Sequence, residues 1–109
     1  MKVHKIICLC GSTKFKEQFL DKAKELTLKG YIVLMPNVFG HFGDRIPDGR
    51  KTMLDKMHKE KIDMSDVVYI VNVDNYIGES TRNEIEYAKE KGKKILFLET
   101  CPQDDDYER

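Results

Sequence analysis

The sequence has no excess of charge of either sign, no paired cysteine motif and no long apolar run. Lys+Arg and Asp+Glu stand at 19 each, a formal net charge of zero. That balance excludes a broad, sequence-independent footprint on polymeric nucleic acid, because such binding rests on clustered basic residues that neutralise phosphates. A local basic pocket for a small anion remains compatible with it. The cysteines, Cys8, Cys10 and Cys101, are an odd set without CxxC spacing, which is neither a disulfide framework nor a zinc motif. His4 and His41 have no ligand spacing with one another or with the cysteines. The expectation is a reduced, cytoplasmic protein with no metal and no cofactor. The N-terminal "MKVHKIICLCGS" holds an apolar run of only about six residues, too short for a signal h-region or a membrane span.

What is present is periodic. At 109 residues the chain has the size of one domain, expected over residues 1–100 with a frayed tail over 101–109, and buries roughly two thirds of the surface of its unfolded form. Four apolar runs, "KIICLC", "YIVLMP", "VVYIVNV" and "KILFL", do not alternate with polar residues and read as strands of a parallel sheet covered on both faces. Between them lie helical spacings: Phe15, Phe19, Ala23, Leu26 and Gly30; more loosely Met53, Met57, Lys61 and Met64; then Thr81, Ile85, Ala88 and Gly92. Gly30 and Gly92 stand where helix-terminating glycines belong, and Pro36 closes the second strand. Right-handed crossovers turn this alternation into a small doubly wound α/β domain, four strands in the order 2-1-3-4 with helices on both faces. Residues 37–51, "NVFGHFGDRIPDGRK", carry Gly and Pro without a period and read as a lid or binding loop.

In such a sheet, ligands sit beyond the carboxyl ends of the strands at the switch point, here between strands one and three. The loop after strand one, Gly11, Ser12, Thr13 and Lys14, offers close backbone approach, two hydroxyls and an ammonium, without the spacing of a P-loop or of GxGxxG. Its structural alternative is a turn with Ser12 or Thr13 as N-cap. The loop after strand three runs "DNYIGEST" and brings Asp74, Tyr76, Gly78, Glu79, Ser80 and Thr81 to the same place. Both loops enter helix N-termini, which favour anions.

Three glutamates follow one another there. Thr81 and Glu84 have the T-x-x-E spacing of a capping box, in which Glu84 turns back to the cap; a cap at Ser80 instead releases it. Glu84 lies at the edge of the sheet-facing stripe and nearest the switch point. Glu86 points away from that stripe, while Glu79 is in the loop.

On "CGSTK", "SDVVYIVNVD" and above all "GESTRNEIEYAKEKGKKI", the chain resembles the nucleoside 2-deoxyribosyltransferase superfamily, which includes the deoxynucleoside-monophosphate N-glycosidases. The likeness runs over roughly Lys5 to Leu98. It implies that Glu84 is the catalytic glutamate, that Glu79 helps bind sugar hydroxyls, that Ser80 and Thr81 are the small-hydroxyl pair at the helix start, and that Ser12 and Lys14 lie near a 5′-phosphate. The chain departs from the pattern where His58 stands in place of an aspartate used in chemistry on the base. It departs again at Cys8, where a tyrosine is common, and at Ser80 and Glu86, where glycines are.

By this resemblance Glu84 attacks C1′ of a nucleoside or nucleoside monophosphate and forms a covalent glycosyl-enzyme, and water or a second base releases the sugar. His58 either protonates the leaving base or is a solvated helix histidine. Tyr76 is the tyrosine placed to touch a substrate. The resemblance also implies a homodimer or higher homo-oligomer. Two other functions fit the same residues: a nucleotide sensor that keeps the pocket without turnover, and a flavodoxin-like domain for another anion.

Overall fold

The computed structural model describes residues 3–36 and 49–99. The chain runs β1 (Ile6–Gly11), α1 (Lys16–Leu28), β2 (Ile32–Leu34), α2 (Arg50–Met64), β3 (Val67–Val71), a 3-10 turn (Val73–Asn75), α3 (Glu79–Glu90) and β4 (Lys94–Phe97). All strand pairs are parallel and the order is β2-β1-β3-β4, the order expected from the alternation of strand and helix patterns.

The pleat divides the core. Ile7 and Leu9 of β1 face Phe19 and Leu26 of α1, together with Val67 and Val71. Cys8 and Cys10 point the opposite way and join Val68, Ile70 and Ile95 of the sheet with Ile62 of α2 and Ile85 and Ala88 of α3. One helix therefore covers one face and two cover the other. The expectation of strands buried on both faces holds for β1 and β3; β2 and β4 flank them and are only partly covered, with Ile32 half exposed. An edge strand has a neighbour on one side only.

Helices α1 and α3 bury the residues their spacing marks: Phe19 and Leu26 in the first, Thr81, Ile85 and Ala88 in the second. Both end in the same hydrogen-bonded motif. Gly30 donates to the Thr27 carbonyl and Tyr31 to that of Leu26; Gly92 donates to Lys89 and Lys93 to Ala88, the two bonds that occupy otherwise unpaired carbonyls at a helix end.

Helix α2 corrects the sequence reading. Met53, Met57 and Met64 are exposed, whereas the buried positions are His58 and Ile62, with Leu54 partly covered. The inward stripe is thus 54-58-62, one residue later than the methionine stripe, and a histidine at its centre hid it from an apolar count. From the neighbouring positions, Lys61 Nζ donates to the Met35 carbonyl at 2.7 Å, and the exposed Asp63 accepts from Tyr87 Oη at 2.7 Å. Of the expected loop, residues 37–48 lie outside the described residues, while Gly49 is the N-cap of α2 and Arg50 and Lys51 are already helical. The tail beyond residue 99 lies outside them too.

Asn72 extends β3 with a side chain. Its Oδ1 accepts from the Glu99 N–H at 2.9 Å and its Nδ2 donates to the Glu99 carbonyl at 2.9 Å, so a fully buried amide stands in for a strand residue beyond β4. Asn72→Ala leaves both Glu99 backbone groups without partners. A loss of about 2 kcal/mol is expected, read as a shift of the urea midpoint at unchanged m-value. Among the described residues, no helix is long and apolar enough to cross a membrane.

Candidate functional site at the β1–β3 switch point

The crossover after β1 leaves on the α1 face and that after β3 on the other, which makes the ends of these strands the switch point where ligands bind in open α/β sheets. Gly11 is the last residue of β1, paired with Val71. The next four residues form a tight turn: Ser12 Oγ accepts from Lys14 N–H at 3.4 Å and the Ser12 carbonyl from Phe15 N–H at 3.1 Å. Helix α1 begins only at Lys16, with Phe15 as N-cap and no side-chain cap. Of the structural alternative, the turn is present but the Ser12 or Thr13 cap is not, because the serine is used inside the turn.

The two loops meet through Lys14 and Tyr76. The ammonium stands 3.7 Å from the Tyr76 ring centroid and 5.3 Å from that of Phe15, and the two rings meet edge to face at 6.0 Å. Gly78 lies under Tyr76, where an added Cβ would come within 3.2 Å of the hydroxyl. Asp74 and Asn75 both have left-handed backbones, φ 54° and 62°, uncommon for residues with side chains. The Asp74 N–H is held by the Glu99 carboxylate at 2.9 Å, and its own side chain is exposed. Glu79 and Ser80 are exposed on the first turn of α3, and Thr81 is buried beneath them.

Gly78 is the N-cap of α3 and no side chain caps it. The capping box of Thr81 and Glu84 is not formed: the N-cap is Gly78, three residues earlier than that motif requires, and Glu84 falls in the second turn of the helix. The carboxylate turns instead to α2. Its Oε1 lies 3.7 Å from His58 Nε2, with the Glu84 side chain 19% exposed and that of His58 6%. The same nitrogen is 3.2 Å from Cys10 Sγ and 4.0 Å from Cys8 Sγ. His58 Nδ1 is buried without a partner among the described residues. His58 is thus a core residue, and its solvated alternative is excluded.

Each of these groups shifts the others. Burial raises Glu84 above the usual carboxylate range, the His58 charge opposing without overcoming it. For His58 the largest influence, burial, lowers its basicity, but hydrogen bonding to Cys8 and the charges of Glu84 and Cys8 outweigh it and leave the pKa raised. Hydrogen bonding from Cys10, helped by His58, brings the Cys8 thiol down to about 6 against its burial. Cys10 moves up, through its bond to Cys8, its burial and the neighbouring charges. Four ionisable groups thus influence one another here, the kind of mutual perturbation by which a site can keep an acid and a base side by side.

Of the residues singled out from sequence, the structure brings together Glu84 with His58, and Lys14 with Tyr76 and Gly78. Asp74, Glu79 and Ser80 remain exposed at the rim. Cys8 and Cys10 were missed as site residues. Their i, i+2 spacing on one strand was the available signal, since it puts both thiols on one face. The two departures at Cys8 and His58 are the same place in three dimensions.

Among solved structures, the chain is similar to a protein described as "2-desoxiribosyltransferase from Leishmania mexicana", at a TM-score of 0.63 and 16% identity, over 94% of this chain and 71% of that one. At that identity the likeness shows the fold. Comparison with curated proteins returns no match. The sequence matches the family described as "Domain of unknown function (DUF4406)" over residues 8–97, from the centre of β1 to the end of β4; the chain belongs to that family.

Proposed function

We propose that the protein cleaves the N-glycosidic bond of a nucleoside or nucleoside 5′-monophosphate, with Glu84 as nucleophile. The observation that carries this reading is the Glu84 carboxylate, released from helix capping, largely buried at the switch point and 3.7 Å from an imidazole. The solved protein with the same fold is described as a deoxyribosyltransferase, which supports the same class of reaction. Glu84 attacks C1′ as the C1′–N bond breaks, and the departing base takes a proton from His58. The product is a glycosyl ester on Glu84. Water, or a second base, then attacks C1′, the ester bond returns its electrons to Glu84, and the proton lost by the incoming nucleophile restores His58. Lys14 and the hydroxyls of Ser12 and Thr13 would hold a 5′-phosphate. Tyr76 would flank the sugar or base, and Glu79 the sugar hydroxyls.

The test is incubation with deoxynucleosides, ribonucleosides and their monophosphates, read by chromatography for free base. Release of base is expected, with monophosphates favoured. Tight binding with no release favours the sensor reading, which the enclosure of His58 by Cys8 and Cys10 supports. Neither binding nor release removes both readings. The same proposal includes a homo-oligomer, supported by the exposed methionine stripe Met53, Met57 and Met64 along α2. Sedimentation equilibrium should then give a mass of at least two 12.7 kDa chains.

A further inference from the structure

We propose that Cys8, Cys10 and His58 form a binding site for a thiophilic divalent cation, zinc first among them, with the Glu84 carboxylate as the fourth donor. The three ligating atoms Sγ, Sγ and Nε2 all lie within 4.8 Å of one another and all three residues are buried. With metal–sulfur bonds of about 2.3 Å and metal–nitrogen bonds of about 2.0 Å, tetrahedral coordination separates sulfur from nitrogen by about 3.5 Å. The observed separations of 3.2 and 4.0 Å bracket that distance. The Glu84 carboxylate stands outside that three-residue cluster, on α3 beside α2, with its Oε1 3.7 Å from the same nitrogen, and it moves in to supply the fourth donor. Two sulfurs, one nitrogen and one oxygen are a donor set suited to zinc.

The strand geometry explains why these thiols serve a third party. Residues two apart on a strand are separated by about 6.6 Å with parallel Cα–Cβ vectors, beyond the Cβ separation a disulfide needs. Cys8 and Cys10 therefore lean on the imidazole between α2 and the sheet. The three clustered donors come from β1 and α2, packed in one core with Ile62, Val68, Ile70 and Ile85, so a cation finds them already gathered. On binding, the thiols give up their protons to solvent. His58 Nδ1 has no acceptor among the described residues, and a ligating histidine without that second contact binds metal about 10–100-fold more weakly than one with it. A site for reversible loading follows. Occupancy would engage both Glu84 and His58, so the metal-bound and glycoside-cleaving states exclude each other, yet the cation site does not depend on that activity.

The reduced full-length protein, freed of metal, is titrated with Co²⁺ alone and followed by absorbance. The expected result is one equivalent bound, with visible d–d bands of tetrahedral intensity and a sulfur-to-cobalt charge-transfer band, both erased by Zn²⁺. Cys8→Ser and Cys10→Ser should each weaken binding at least about 100-fold, and Cys101→Ser should change nothing. No charge-transfer band in the wild-type protein, or one that persists when both Cys8 and Cys10 are replaced, overturns the site. Should the core variants fail to fold, X-ray absorption of the zinc-loaded wild type decides: two sulfurs at about 2.3 Å support it, and a shell of nitrogen and oxygen only refutes it. Base release by the metal-free protein is measured separately, so either proposal can fail alone.

Discussion

Glu84→Gln is expected to lower the rate of base release at least about 10⁴-fold, the scale of losing the group that forms the covalent intermediate, with the fold intact. The amide has the shape of the carboxylate but no nucleophilic oxygen, and it cannot stabilise positive charge developing at C1′. Substrate binding should change far less, because the sugar and phosphate contacts proposed for Glu79, Ser12 and Lys14 are untouched. Stability moves the other way. Burial raises the Glu84 pKa in the folded chain, so between the unfolded and folded values the native state binds more protons and loses stability as pH rises. At neutral pH the ionised carboxylate therefore opposes folding, and the glutamine variant should melt at the same temperature as wild type or slightly higher. A variant that melts lower and is inactive would mark Glu84 as a structural group; one that melts normally and still releases base would remove it as the nucleophile.

Gly11→Ala is expected to destabilise the protein by about 4 kcal/mol, the sum of a strained backbone and an overpacked contact. Gly11 has φ 150°, and a Cβ there would stand 2.7 Å from the Val71 carbonyl oxygen and 3.2 Å from Phe19 Cζ. The carbonyl belongs to a strand hydrogen-bonded on both sides, and Phe19 is a fully buried ring, so neither neighbour can give way cheaply. For a domain of this size the melting temperature should fall by about 15 °C. The position matters beyond stability, because Gly11 is where β1 turns into the loop carrying Ser12 and Lys14. Thermal unfolding by circular dichroism checks the prediction, and a fall under about 4 °C, the equivalent of roughly 1 kcal/mol, would show that the backbone relaxes around the methyl.

The parts of the fold that were readable before the structure share a cause. The runs around Ile7, Leu9, Val68 and Ile70 are apolar without alternation because both sheet faces are covered, and that pattern is local along the chain. Gly30 and Gly92 terminate helices through bonds spanning five residues or fewer. Chirality of the crossovers did the rest, giving the order β2-β1-β3-β4.

The site was legible only in outline. The sequence by itself determined the α/β fold with its strand order, and with it that the loop at Ser12 and the start of α3 follow the two central strands. Whether Glu84 capped its own helix depended on a start at Glu79, a boundary that local preferences leave open by a turn. Whether His58 was surface or core depended on which stripe of α2 met the sheet, and a lone imidazole has no periodic signature. The meeting of Cys8, Cys10, His58 and Glu84 was decided by the tertiary structure alone, since it joins atoms separated by 48 and 50 residues, and contacts across such distances are set by how whole layers stack.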